Sequence, residues 1–334
     1  MNRLRPASAV RPVATAALLA AVVVLLGCET YVRRADLAEE YFNLGNAFYE
    51  LEGYERAVEY YEKALALEPD LVPANFNLAR AYIESGEYAQ AIPILESLIE
   101  GEEESVLVLE SLAYAYTKQE RYEDALELYE EVLSLSPFRV SALYSSALIY
   151  RRLEEYQNAR DLLGRAREAA PEDPDVLYHY GRILYDTDDP DEAVSILSDY
   201  LDEAPVNEEE IDRRLEVARI YADERYFARA ISTFDQVLEV DANEPTALFE
   251  KAALQLTVIE DSTAGEENLR AALEAGFSDE ERAEELLERE DLLSRTRVTE
   301  LLSEAGLLAG EENDEDESDA ASGQDEGEEA ERSE

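Results

Sequence analysis

Apolar residues recur at helical spacing along residues 38–71, AEEYFNLGNAFYELEGYERAVEYYEKALALEPDL. This pattern predicts two amphipathic helices joined by a Gly-Tyr turn. The small residues Gly45, Ala57 and Ala64 leave room for the two helices to approach closely. Pro69 ends the second helix. A hairpin of two helices cannot bury its apolar face alone, so the chain is expected to stack copies of it.

The same pattern returns every 34 residues. Five copies follow one another without insertion. Three extra residues, Glu208 to Glu210, then precede a sixth copy, and the seventh copy has lost its aromatic positions. The predicted repeats are 38–71, 72–105, 106–139, 140–173, 174–207, 211–244 and 245–276.

This spacing resembles the tetratricopeptide repeat, and the resemblance covers about Ala38 to Gly276. The conserved tryptophan of that family is absent, and its positions in the first five repeats hold Tyr41, Asn75, Leu109, Leu143 and Leu177. The resemblance implies an all-α fold, a right-handed α-solenoid of about seven helix-turn-helix repeats. It also implies a protein-binding scaffold, without naming the ligand.

Residues 277–309 are predicted to form a pair of capping helices, because the end of a solenoid needs a cover with a polar outer face. Ser278 and Glu281 have the spacing of a capping box that would begin the first of them. The segment 310–334 is acidic and has no aliphatic side chain larger than alanine. Such a tail cannot bury a core, so we predict that it is disordered.

The first 27 residues have the pattern of an export signal. Three arginines precede the uncharged apolar run Val13–Gly27, which is short for a membrane-spanning helix. The run ends in Leu25-Leu26-Gly27-Cys28, which resembles the lipobox of bacterial lipoproteins. We therefore predict a signal peptide (1–27), lipidation of Cys28 and a tether (28–37). The alternative is an ordinary signal peptide or an uncleaved anchor with an incidental cysteine.

Two observations refine the predicted anchor. Cys28 is the only cysteine, so no disulfide can form within the chain and a lipid gives the thiol a role. Glu29 follows it, and in similar Gram-negative lipoproteins a residue other than aspartate favours the outer membrane. The expected location is the periplasmic face of the outer membrane, with the outer face of the cytoplasmic membrane as the alternative.

The formal net charge is −51, with 29 lysines and arginines against 80 acids. A chain this acidic is not expected to bind nucleic acid through a basic face. Catalysis is not expected either. His179 is the only histidine, so neither a zinc site nor a histidine-based triad can be built, and we predict no enzymatic activity, metal or cofactor.

In the tetratricopeptide family the first helix of each repeat lines a concave groove, which predicts a binding surface here that combines aromatic and cationic side chains. Aromatics and arginine are enriched in binding hot spots. The alternative is that the arginines pair with acids of neighbouring repeats, such as Glu84, Glu110, Asp186 and Asp223. The predicted groove residues are Phe42, Asn46, Tyr49, Phe76, Arg80, Tyr114, Lys118, Tyr144, Arg151, Arg152, Tyr178, Arg182, Tyr185 and Arg219.

Some tetratricopeptide proteins hold a peptide C-terminus with a clamp of lysine, asparagine and arginine. Asn46 and Asn77 match its asparagines, but Phe42, Leu107 and Ser111 occupy its basic positions, so no clamp is predicted.

The sequence thus predicts a membrane-anchored scaffold that binds acidic or aromatic protein segments. It resembles envelope lipoproteins that assemble outer-membrane proteins or recruit cell-wall hydrolases. A self-associating structural protein is the competing interpretation, and the oligomeric state stays open.

Overall fold

The computed structural model describes residues 34–100 and 105–308, and all regular secondary structure in these residues is helical. The predicted all-α fold of repeated helical hairpins is confirmed. The helices are α1 (34–50), α2 (Tyr54–Leu67), α3 (Val72–Glu84), α4 (Tyr88–Glu100), α5 (Val106–Lys118), α6 (Tyr122–Leu135), α7 (Val140–Arg152), α8 (Tyr156–Ala169), α9 (Pro174–Asp186), α10 (Pro190–Glu203), α11 (Ile211–Asp223), α12 (Phe227–Val240), α13 (Pro245–Thr257), α14 (Ser262–Glu274), α15 (Glu280–Glu288) and α16 (Arg295–Glu304).

The predicted signal peptide, the Cys28 lipidation site and the acidic tail 310–334 lie outside the described residues. Helix α1 already includes residues 34–37, which the sequence places at the end of the tether. None of the described helices combines the length and the apolar character that a membrane crossing requires.

The chain divides into two compact units, the first ending at Ile196 and the second beginning at Leu197. In the first unit the helices start at a constant interval. The first helices α3, α5, α7 and α9 begin at Val72, Val106, Val140 and Pro174. The second helices α2, α4, α6 and α8 begin at Tyr54, Tyr88, Tyr122 and Tyr156.

The core of the first unit repeats with the same interval. One position of each second helix holds a fully buried alanine, namely Ala57, Ala91, Ala125 and Ala159. A larger side chain four residues later is also buried, namely Tyr61, Leu95, Tyr129 and Leu163. The methyl group of alanine lets the two helices of a hairpin approach, and the larger residue fills the space beside it.

Each hairpin of the first unit turns through one residue in the left-handed backbone region. The φ angles are +58° at Glu52, +80° at Gly86, +58° at Glu120, +61° at Glu154 and +62° at Asp188. Only one of these residues is glycine, so the other four accept a conformation that costs L-residues energy. The turn geometry is therefore fixed by the packing of the two helices.

Hydrogen bonds from tyrosine to glutamate connect neighbouring hairpins. The Tyr82 hydroxyl donates to Glu62 Oε1 at 3.0 Å, and the Tyr116 hydroxyl donates to Glu96 Oε1 at 2.6 Å. These pairs occupy equivalent positions in successive hairpins. Burial, together with the adjacent carboxylate, raises the pKa of each tyrosine to about 12. The neutral phenol is thus the form that joins the hairpins.

In the second unit the three extra residues form a short 3-10 turn, Glu208–Glu210. The Tyr200 hydroxyl donates to the Glu210 carboxylate at 2.5 Å. The fully buried Arg214 donates through Nη2 to the Ala204 carbonyl oxygen at 2.8 Å. The Tyr200 bond therefore holds the insertion at Glu210, and the Arg214 bond holds the segment just before the insertion at Ala204.

The second unit ends with α15 and α16, which pack on α13 and α14 through a common apolar cluster. The rings of Phe249 and Phe277 stack with their centroids 3.9 Å apart. Val298, Leu301 and Leu302 of α16 are buried in the same cluster.

The predicted capping box at Ser278 and Glu281 is wrong by one residue. Helix α15 begins at Glu280 and its N-cap is Asp279, whose side chain accepts a hydrogen bond from the Arg282 N–H at 3.1 Å. Asp279 serves as well as serine because its carboxylate accepts from the exposed N–H groups and carries a negative charge at the positive end of the helix.

Candidate functional site

The first-helix face is the surface of the first unit formed by α1, α3, α5, α7 and α9. It carries all of the predicted groove residues except Arg219, which lies on α11 of the second unit. Most of these side chains are exposed or half-buried. Tyr178 is different, because only 7% of it is exposed, so little of its ring is available for the binding surface we predicted.

Arg80 lies among aromatic rings at the α1–α3 end of this face. Its Nη2 donates to the Tyr49 hydroxyl at 2.9 Å, and its guanidinium lies 4.8 Å from the Tyr49 ring centroid and 5.9 Å from that of Phe76. Tyr49 in turn donates to Glu84 Oε1 at 3.3 Å. Burial raises the pKa of Tyr49, while the Arg80 cation opposes that rise. The rings hold the exposed guanidinium in place without neutralising it.

Next to Arg80, a cavity of about 300 Å³ lies between α3, α5 and α7. That volume is at the lower limit of small-molecule pockets and suits one side chain of a bound segment. The buried Tyr129 belongs to the lining, and burial raises its pKa while hydrogen bonding from Ser145 and Thr117 opposes that rise. The cavity is lined by Arg80, Ile83, Glu84, Glu110, Ser111, Tyr114, Tyr129, Arg139, Ser141 and Ser145.

Arg139 is a cavity residue that the sequence analysis missed. Its Nη2 and Nε donate to the two carboxylate oxygens of Glu110 at 2.7 and 2.9 Å, and Ser141 also donates to Glu110 at 2.6 Å. Arg139 precedes α7, so a search of first helices alone could not find it. Arg139 lies one residue before the start of α7, and the starts of the first helices recur every 34 residues. The repeat interval could therefore have identified it.

Lys118 and Tyr114 lie on the same helix, α5. The Lys118 Nζ is 5.2 Å from the Tyr114 ring centroid, and that ring meets the Tyr88 ring edge-on with centroids 6.3 Å apart. Both Lys118 and Tyr114 are exposed. This pair again combines a cation with an aromatic ring.

Beyond Lys118, an open depression of about 710 Å³ lies between the ends of α5 and α7 and includes Arg151 and Arg152. Arg151 Nη1 is 3.4 Å from His179 Nδ1, and the His179 ring meets the Tyr144 ring edge-on. Arg152 Nε donates to the Tyr122 hydroxyl at 3.0 Å. The depression thus places two arginines beside Lys118.

The ion pairs separate five of the six predicted cations into two groups. Arg219 donates to Glu250 at 3.1 Å, and Arg152 is 3.8 Å from Glu120, so these two have carboxylate partners. Within residues 34–100 and 105–308, Arg80, Lys118 and Arg151 form no ion pair with a carboxylate. The alternative of structural pairing therefore does not account for these three side chains.

Asn46 has a structural role in the first hairpin. Its Oδ1 accepts hydrogen bonds from the Tyr61 hydroxyl and from Asn77 Nδ2, both at 2.8 Å. The two asparagines that match the peptide clamp are thus bonded to each other. A ligand would have to displace this bond to reach the Asn46 oxygen.

The chemistry available on the first-helix face is recognition by cations, rings and hydroxyl groups. Among the described residues, no group of three or more histidine, cysteine, aspartate or glutamate side chains is arranged to hold a metal ion. Arginine forms bidentate bonds with carboxylates and stacks on rings, so this surface suits carboxylate and aromatic groups.

Comparison with known families agrees with this architecture. A family model described as tetratricopeptide repeat matches residues 49–105. The fold is that of tetratricopeptide repeats. A second model, described as anaphase-promoting complex, cyclosome, subunit 3, matches residues 118–200. Neither model describes an enzyme, and tetratricopeptide repeats are generally non-enzymatic scaffolds that bind other proteins or peptides.

Solved structures show the same fold at low sequence identity. A tetratricopeptide repeat protein from Parabacteroides merdae is 19% identical with a TM-score of 0.53, covering 79% of this chain and 99% of its own. The C-terminal part of a repeat protein from Cytophaga hutchinsonii is 16% identical with a TM-score of 0.61, covering 73% and 98%. PilF of Pseudomonas aeruginosa is 18% identical with a TM-score of 0.55, covering 66% and 98%. No curated protein sequence matches the chain.

Proposed function

We propose that this tetratricopeptide protein is a membrane-anchored scaffold of the cell envelope. It binds acidic segments of partner proteins on the first-helix face. The observation that carries the proposal is the set of three cations, Arg80, Lys118 and Arg151, that have no carboxylate partner among the described residues of a chain with 80 acids.

An acidic chain attracts few acidic partners at long range, so a bound acid needs a local cationic surface. Here the cations lie beside rings and two cavities, which lets a partner place a carboxylate on a guanidinium and an apolar side chain between helices. Interactions of this kind are worth more where water is excluded.

The binding test uses a photo-crosslinking amino acid at Tyr114 in native membranes. We expect a crosslinked partner that is lost when Arg80→Glu and Arg151→Glu are combined, with helical content unchanged. The matched control is Arg270→Glu, an exposed arginine on the second helix α14, which should leave the crosslink intact. A crosslink that survives the combined Arg80→Glu and Arg151→Glu substitutions would refute binding on the first-helix face. The identity of the partner separates an assembly factor for outer-membrane proteins from an adaptor for cell-wall hydrolases.

The membrane anchor is proposed on the sequence of residues 1–28. Cys28→Ala should abolish acyl labelling and leave an unprocessed precursor, whereas Cys28→Ser tests whether a hydroxyl can replace the thiol. Fractionation on a density gradient distinguishes the outer from the cytoplasmic membrane. Wild-type protein that carries no lipid label would contradict the anchor and leave the groove proposal standing.

A further inference from the structure

A cleft of about 600 Å³ lies between the second helices α6 and α8 of the first unit, and we call it the α6–α8 cleft. Helix α7 lies between these two helices in the chain and packs on both, and its residues Ser146 and Tyr150 are part of the lining. Leu126, Leu133 and Leu162 add half-buried apolar side chains from α6 and α8. A cleft of this volume accommodates several side chains of a bound segment.

Ser146 interrupts the repeat at the bottom of this cleft. The equivalent positions of the two preceding repeats hold Leu78 and Leu112, which are 6% and 3% exposed. Ser146 is just as buried, at 3% exposed, but its side chain is much smaller and leaves the space open. Among the described residues its hydroxyl has no hydrogen-bond partner. A polar group buried in this way costs free energy, which a polar group of a ligand would recover.

The hydrogen bond that connects the earlier hairpins is also missing at this cleft. Tyr150 and Glu130 occupy the positions of the tyrosine–glutamate pairs that join α2 to α3 and α4 to α5. Within the described part of the chain, the side chains of Tyr150 and Glu130 form no hydrogen bond. Tyr82 and Tyr116 of the bonded pairs are each 7% exposed, whereas Tyr150 is half-buried. A phenol and a carboxylate are therefore both available to a ligand in the cleft.

One side of the cleft is acidic. Glu123, Glu127 and Glu130 lie along α6 at intervals of four and three residues, which places them on one side of the helix, and all three are exposed. In residues 34–100 and 105–308 none of them forms an ion pair. Arg165 of α8 also lines the cleft, and its Nη2 donates to the Pro137 carbonyl oxygen at 3.0 Å. A bound cation would relieve the repulsion between the three carboxylates.

We propose that the α6–α8 cleft binds a basic amphipathic segment of a partner protein. The apolar side chains of the segment enter the cleft between the two helices, and its lysines or arginines bond to the carboxylates of α6. The lining extends along α6 from Glu123 to Ser134, which is roughly 16 Å and matches about three turns of a bound helix. Because the first-helix face suits acidic segments, the two surfaces select partners of opposite charge. One chain can then join two different proteins.

The first test measures binding of a fluorescent peptide made of leucine and lysine, with the leucines on one face of a helix. The peptide is titrated with the purified full chain and followed by fluorescence anisotropy, with all variants in the same detergent. We expect Glu127→Lys to weaken binding about tenfold, because it replaces an attraction by a repulsion. The control is Glu239→Lys, which makes the same charge change at an exposed glutamate of α12 in the second unit and should leave the affinity nearly unchanged.

The second test fills the cleft. Ser146→Leu restores the residue type of Leu78 and Leu112, so it should occupy the space that the ligand needs and weaken peptide binding at least about tenfold. The melting temperature should stay the same or rise, because an unpaired buried hydroxyl is replaced by an apolar group. This pair of responses distinguishes a filled site from a damaged fold. If Ser146→Leu folds poorly, Glu127→Lys still decides, because that position is exposed.

Several results would overturn the proposal. A peptide that does not bind the wild type, or that binds Ser146→Leu equally well, does not use the cleft. Equal binding of a matched peptide of leucine and glutamate would show that charge does not select the ligand. A particle mass in light scattering that halves in Ser146→Leu would assign the cleft to a second copy of this chain. None of the cleft residues belongs to the predicted groove, so either proposal can fail without the other.

Discussion

The left-handed turn residues provide the sharpest prediction from this fold. Gly86 and Glu154 hold the same turn position in two hairpins, with φ angles of +80° and +61°. We consider the substitutions Gly86→Ala and Glu154→Gly. A Cβ atom added at Gly86 would meet nothing within 4 Å, so packing does not enter the comparison at that site.

The magnitude follows from two opposing effects. The left-handed conformation costs an L-residue about 1–2 kcal/mol. Glycine offsets part of this because it loses about 0.5–1 kcal/mol more conformational entropy on folding. Gly86→Ala should therefore lower the free energy of unfolding by about 0.5–1 kcal/mol, and Glu154→Gly should raise it by a similar amount.

The assay is urea unfolding followed by circular dichroism, together with hydrogen exchange of the helices on each side of the turn. Hydrogen exchange of these helices is needed because a hairpin in a solenoid is stabilised mainly by its neighbours, so unfolding of the whole chain does not report on one turn alone. Glu154→Ala is the control: it removes the same charge but keeps a Cβ, so it should show no gain from the backbone. If Glu154→Gly and Glu154→Ala change the stability equally, the gain is electrostatic and the backbone argument fails.

Three further predictions test the packing, the tyrosine bonds and the acidic tail. Gly45→Ala should destabilise the first hairpin by about 1 kcal/mol, because its Cβ would lie 2.5 Å from the buried Tyr61 ring; unchanged exchange of α1 and α2 would refute this. The pKa of Tyr116 is raised to about 12, so its neutral phenol contributes stability that is fully present below pH ~10. That contribution is lost as the pH rises through about 12. Tyr116→Phe should be less stable at neutral pH because it loses the hydrogen bond to Glu96, and it should lose less stability in alkali because it has no phenol to ionise, which pH-dependent urea melts would check. Deleting 310–334 should strengthen partner binding in a titration and leave the melting temperature almost unchanged, because we expect a tethered acidic tail to compete with the partner for the cations.

The hairpins and their core were predictable because the information is local. A fixed interval of 34 residues and the small residues at Ala57, Ala91 and Ala125 define where two helices cross, and these alanines are fully buried. Hydrophobic periodicity depends only on helix geometry, so one sequence is enough to detect it.

The side-chain partners on the first-helix face were not predictable in the same way. Glu110 was one of the acids that the alternative interpretation paired with a groove arginine, and it bonds instead to Arg139, which lies outside the predicted set. Tyr178 has the same position as Phe42, Phe76 and Tyr144, which are half-buried, yet it is buried. Such choices depend on rotamers and on the distance between helices, which a repeat interval does not specify.

The acids at the left-handed turns have an electrostatic consequence. Glu52, Glu120, Glu154 and Asp188 hold this turn position in four of the five hairpins, so the first unit carries negative charges along the edge where its hairpins turn. Dissolved salt screens repulsion between exposed charges beyond roughly 8 Å at physiological ionic strength. Added salt should therefore raise the melting temperature of the chain while it weakens capture of an acidic partner. The two responses have opposite signs, so a single salt titration separates the energetics of the fold from those of its binding surface.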